Sequence, residues 1–163
     1  MGRPENTQEV DNEIFRETYR SINEHCCPYE KSLLTNNCQC SQAERFCIAE
    51  REGVSCRSAA AQYRCVLLLE ILRTQARFAL RTAMPGAALP HARAMRVQVG
   101  GLRGLYAVVV PDGPIPHPIP DVHALVDAAE TQYGDLKALP FQPIIQQVAA
   151  YRGRQPFRER RRR

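Results

Sequence analysis

The chain has 163 residues, enough to bury a hydrophobic core, and 44% of them are apolar, which excludes a disordered protein. The formal charge of +5 is not a property of the body. Residues 152–163 hold seven Arg and one Glu, so the remaining chain is close to neutral, and its first 52 residues are acidic. The polar, acidic stretch Met1–Val10 fits neither a signal peptide nor a transit peptide. The longest apolar run, Cys65–Leu69, is far too short for a membrane span, so a cytoplasmic protein is expected.

In chain order, residues 7–24 predict an amphipathic helix with Ile14, Phe15, Thr18, Tyr19 and Ile22 on one stripe. Cys27-Pro28 opens a short helical turn to Leu34, and Thr35-Asn36-Asn37 breaks it. Ser41-Gln42-Ala43-Glu44 has the form of a capping box, which predicts a helix over 42–52 stopped by Gly53. A long helix follows over about 59–83, with Ala61, Cys65, Leu68, Leu69, Leu72, Ala76, Ala79 and Leu80 on its core face and Met84-Pro85-Gly86 at its end.

Beyond it, the alternation at Val97 and Val99, the Gly100-Gly101 pair and the β-branched run to Val110 predict a hairpin. Five prolines between Pro111 and Pro120 form a stiff connector. Asp121 caps a helix to Tyr133 that Gly134 stops, and a last helix covers about 143–151. The expected fold is therefore mainly α, a small helical cysteine-rich domain with a short β-hairpin in the C-terminal half. Its parts are a cysteine-rich metal-binding region over 1–84, a mixed region over 85–151 packing on it, and a basic disordered tail over 152–163.

Chemistry is concentrated in the thiols. All seven cysteines lie between Cys26 and Cys65, as Cys26-Cys27-x10-Cys38-x-Cys40-x6-Cys47-x8-Cys56-x8-Cys65. Crowded thiols in a chain without a secretion signal point to metal binding or redox chemistry, and an odd number argues against a closed disulfide framework. Cys27, Cys38, Cys40 and Cys56 fall in loops or at helix starts, where the backbone is free to converge and helix N-termini favour thiolate. These four are the expected ligands. Cys47 and Cys65, placed in mid-helix on apolar faces, are second candidates that equally suit a core, and Cys26 is the spare.

Structural zinc favours two close C-x2-C pairs or added histidines, and neither is present; iron–sulfur clusters accept wider spacing. A [4Fe–4S] centre in electron transfer, or in service of a larger redox enzyme, is the expectation. The alternative is a non-catalytic zinc-stabilised interaction module whose Arg-rich tail binds nucleic acid or an acidic partner. A thiol redox sensor is a third reading. No catalytic residue is assigned: His25 beside two cysteines is not a catalytic pair by adjacency, and Gly100-Gly101-Leu102-Arg103-Gly104 lacks the ending of a phosphate loop.

Overall fold

A computed structural model describes residues 7–80 and 91–153, with side chains from residue 12 onward. The expected helix stop at Met84-Pro85-Gly86 and the tail from residue 154 lie outside the described residues. Seven α-helices and one antiparallel hairpin make up the rest, so the fold is mainly helical.

The helices are α1 (Thr7–Ile22), α2 (Glu30–Leu34), α3 (Ala59–Leu80), α4 (His91–Met95), α5 (Gly101–Val109), α6 (Val122–Tyr133) and α7 (Phe141–Ala150). A π-helical turn, Arg96–Gly100, joins α4 to α5. The hairpin consists of β1 (Ala43–Ile48) and β2 (Arg51–Cys56), in register from Ala43 opposite Cys56 to Ile48 opposite Arg51.

The hairpin's position corrects the sequence reading twice. Residues 42–52 are not a helix: Ser41-x-x-Glu44 caps nothing, and Ala49 and Glu50 form a two-residue turn with φ of 46° and 69°. Both central residues at positive φ are what a type I′ hairpin turn requires. Gly53 is no helix stop either. It sits opposite Phe46, where an added Cβ would come within 2.3 Å of the ring, so the aromatic side chain lies over the glycine.

The second correction is residues 96–109, which are helical and not a hairpin. Their glycines serve helix packing. A Cβ on Gly100 would stand 2.7 Å from Val148 Cα, and one on Gly104 would stand 2.8 Å from Ile144 Cα and O. Only glycine lets α5 approach the backbone of α7 this closely. Tertiary packing overrides the β preference of Val97, Val99, Val108 and Val109.

One contiguous core runs from Tyr29 and Leu33 through Leu68, Leu72 and Ala76 to Leu105, Val126, Ile144 and Val148. α3 is its spine, and its apolar face is buried as expected from Ala61 to Leu80, except that Ala79 is exposed and Cys65 half-buried. The stripe of α1 is less covered, with Ile14 and Ile22 largely exposed. Ser32 donates to Gln98 Oε1 at 2.8 Å, a buried polar link from α2 to the π-helical turn. Arg64 bridges α3 to α6 through Asp127 (2.5 Å) and Glu130 (2.7 Å). Among the described residues no helix is long and apolar enough to cross a membrane.

Candidate metal centre

Four chain segments meet at one end of α3. The α1–α2 connector is held by Cys27 N–H donating to Val54 O (3.0 Å), which lays it along β2. The end of β2 is fixed by Cys56 N–H donating to His25 O (2.7 Å). The C-x-C loop pairs with the proline connector: Ile119 N–H donates to Asn37 O (3.1 Å) and Gln39 N–H to Ile119 O (2.9 Å). Val122 N–H then donates to Gln39 O (2.9 Å), and Asp121 accepts from Ser41 N–H at 3.0 Å, tying that loop to the start of α6. The prolines from 111 to 120 thus deliver a strand-like partner that positions Cys38 and Cys40.

These segments bring Cys27, Cys40, Cys56 and Cys65 together around one small cavity, which Tyr29, Leu33, Gln42, Ala61, Gln62, Val122 and His123 also line. Its free volume is about 20 Å³, room for a water-sized occupant with the side chains as they stand. Among the described residues no three Cys, His, Asp or Glu side chains stand where together they could hold a single metal ion. The seven cysteines are free thiols.

The placement of each expected site residue is specific. Cys27, Cys40 and Cys56 line the cavity. Cys38 is buried, 1% exposed, and lies close enough to Cys40 and Cys65 to feel their charge, but it is not in the lining. Cys65 is in the lining, one turn beyond Ala61 and Gln62 on the same face of α3. Cys47 is exposed on β1, away from the others. Cys26 faces the opposite way, with its Sγ 3.3 Å from the Tyr19 hydroxyl in a groove between α1 and the hairpin. Tyr19 also hydrogen-bonds Glu30, whose Oε1 accepts from Val54 N–H at 2.8 Å.

Electrostatics favour neutral thiols so long as nothing cationic is near. Burial pushes Cys65 up to about 12, with Cys40 and Cys56 adding repulsion, and Arg64 offsets part of it. Burial likewise raises Cys38 to about 12, reinforced by Cys40 and Cys65 and opposed by Arg45. Cys27 is raised by burial, and the nearby backbone N–H of Tyr29 pulls the other way. Cys40 is raised by burial too, while N–H groups of Gln42 and His123 point at its sulfur. Cys56, as a thiol, donates to Ser58 O at 3.2 Å.

Four thiols with N–H donors aimed at two of them form a soft donor set for a thiophilic metal, since amides that hydrogen-bond sulfur stabilise the thiolate form. The sequence reading named no lining residue other than cysteine, and missed His123 and Tyr29 among others. His123 is separated from the cysteines by more than 50 residues and shows no ligand spacing. Tyr29 carries no motif at all beyond following Cys27-Pro28. Cys65 was legible through the period of α3, which puts it on the Ala61 face, but that same face reads equally well as core. No protein-family model, curated protein or solved structure matches the chain.

Proposed function

We propose that Cys27, Cys40, Cys56 and Cys65 ligate an iron–sulfur centre of the [4Fe–4S] type, and that the protein serves electron transfer, alone or beside a larger redox enzyme. The observation carrying this reading is that four thiols from four chain segments line one cavity while backbone N–H groups address the sulfurs of Cys27 and Cys40. A set of four thiols suits a cluster, each iron of which takes a single protein thiolate, and equally suits zinc, which takes all four at ~2.3 Å.

Bound there, such a group supplies one-electron redox chemistry. The chain's own contribution is the donor set, the amide hydrogen bonds, and the apolar wall of Leu33, Ala61 and Val122 that limits water. A cluster needs more room than the free volume provides. Loading it requires the lining side chains to move apart, and the Cys56 thiol to give up its bond to Ser58 O. Cys38 is buried near Cys40 and Cys65 but does not line the cavity, so the ligands expected from sequence differ from this set by one residue.

Anaerobic purification with a visible spectrum and metal analysis tests the reading. The expected result is a brown protein with about four irons per chain. Serine at position 27, 40, 56 or 65 lowers iron content sharply, while serine at 26 or 47 leaves it unchanged. A colourless protein with one zinc would replace this reading by the interaction module, to which the small free volume is better suited.

A further inference from the structure

A second and larger recess opens between α1 and the hairpin. Its free volume is about 510 Å³, within the ~300–1,000 Å³ of small-molecule sites. The rings of Phe15 and Tyr19 line it, and Tyr19 is held in place by its neighbours. Its ring packs on Phe15 and Phe46, with centroids 6.0 Å and 5.6 Å away. Its hydroxyl donates to Glu30, accepts from Asn23 Nδ2 at 3.0 Å and stands 3.3 Å from Cys26 Sγ. The same Glu30 oxygen accepts from Val54 N–H at 2.8 Å, so this carboxylate is committed to the fold. Burial raises the Cys26 thiol, which does not suit a nucleophile. The wall of the recess is therefore a fixed aromatic surface, and its chemistry lies at the rim.

Arg16 and Arg20, one turn apart on α1, and Arg51, at the start of β2, line the same recess. Arg16 and Arg20 have no ion pair or hydrogen bond among the described residues. Like charges four apart destabilise a helix, and a bound anion would relieve that repulsion. Arg51 is anchored, its guanidinium carbon 4.4 Å from the Phe15 ring centroid and its Nη2 donating to Asn12 Oδ1 at 3.3 Å. With Glu30 committed, the lining sets only Glu52 against three guanidiniums.

We propose that this recess binds a small organic oxyanion, a carboxylate or phosphate carried on a flat ring. Arg16, Arg20 and Arg51 hold the anionic head, and the Phe15–Tyr19 wall takes the ring. Guanidinium forks match both head groups, setting two donors against two oxygens. The site is independent of any metal, because Cys26 lines this recess and Cys27 the cysteine cavity.

The test is calorimetric titration of the full chain, kept reduced, with phenyl phosphate, benzoate, inorganic phosphate and phenol. The expected result is saturable binding of at least one ring anion at a single site, about tenfold or more tighter than inorganic phosphate or phenol. The better of phenyl phosphate and benzoate then identifies the head group. Arg16→Gln combined with Arg20→Gln changes two exposed side chains and is expected to weaken that binding about tenfold or more, as loss of a charge-assisted hydrogen bond does. Arg57→Gln, just past the other end of β2 and outside the lining, is expected to leave it unchanged.

Absence of saturable binding by either ring anion overturns the proposal. So does equal binding of inorganic phosphate and phenyl phosphate, because charge alone would then account for it, on the Arg-rich tail as readily as here. Binding that survives the loss of Arg16 and Arg20, or that weakens equally in Arg57→Gln, places the anion elsewhere and overturns it too. Arg51→Gln reads the hairpin side of the same recess should the double variant fail to fold, and unchanged affinity there has the same consequence.

Discussion

Asp121 ties the C-x-C loop to α6. One carboxylate oxygen accepts N–H donors from His123 (3.1 Å) and Ala124 (3.4 Å), as an N-cap does, and also from Ser41 (3.0 Å) across 80 residues of sequence. The capping role was legible, because Asp before an apolar helical stripe is a strong start signal. The Ser41 contact was not, since nothing local records which loop will lie against a helix end. Burial alone would raise this carboxyl, but donors from Ser41, Ala124 and His123 outweigh it and the net shift is downward. Replacing Asp121 with Ala is expected to cost about 1–2 kcal/mol in a denaturant melt.

The pH response gives a sharper check. A carboxyl whose folded pKa lies below its ordinary 3.8 contributes stability above pH 3.8 and loses it as pH falls through the folded value. Asp121→Asn keeps a cap but cannot titrate. The stability gap between wild type and this variant should therefore shrink as pH falls below 3.8. A gap that stays constant to lower pH would show that charge at Asp121 contributes nothing.

At the scale of elements, the two misassigned segments share a cause: glycine and small polar residues were read as local signals when they act across elements. Ser41, Glu44 and Gly53 imitate the start and stop of a helix. The true turn uses Ala49 and Glu50 in place of the Asn-Gly that normally marks such a hairpin, so its best sequence signature is absent. Gly100 and Gly104 imitate a hairpin turn, but they stand four apart on one face of a helix and admit α7.

The second case is measurable. In an ordinary helix Gly→Ala gains ~0.8–1 kcal/mol of propensity. At Gly104 the new methyl group meets Ile144 backbone, which cannot move without shifting α7, and overpacking of that kind costs ~1–3 kcal/mol. Gly104→Ala is expected to be net destabilising by ~1 kcal/mol or more. Gly101→Ala meets only the Cδ1 end of Leu72, at 2.7 Å, and should cost less. The order of their thermal midpoints decides the matter. If Gly104→Ala is as stable as wild type, α5 and α7 do not pack as closely as described.

Across the whole molecule, the thiol cavity sits at one end of a core that extends well beyond it. The core cluster runs from Tyr29 to Val148, with Cys27, Cys40 and Cys65 packed against it near the start of α3, while α7 packs on both α3 and α5. Small zinc-stabilised domains lack such a core and unfold when the metal is removed. Here, loss of a bound centre should release only the segments whose order depends on the cysteines. The connector at 26–29, the loop at 37–42 and the end of β2 each carry a few backbone hydrogen bonds over long sequence separations.

Hydrogen exchange on loaded and metal-stripped protein tests this. Amides of α3, α5 and α7 are expected to keep their protection, because opening them exposes the main core. Amides at Cys27, Gln39, Ala43 and Cys56 are expected to exchange much faster once the metal is gone. Uniform loss of protection would make the centre a condition of folding for the entire chain. Unchanged protection at those four positions would mean that hydrogen bonds alone hold the cysteines in place, so that the cavity is fully formed before anything binds.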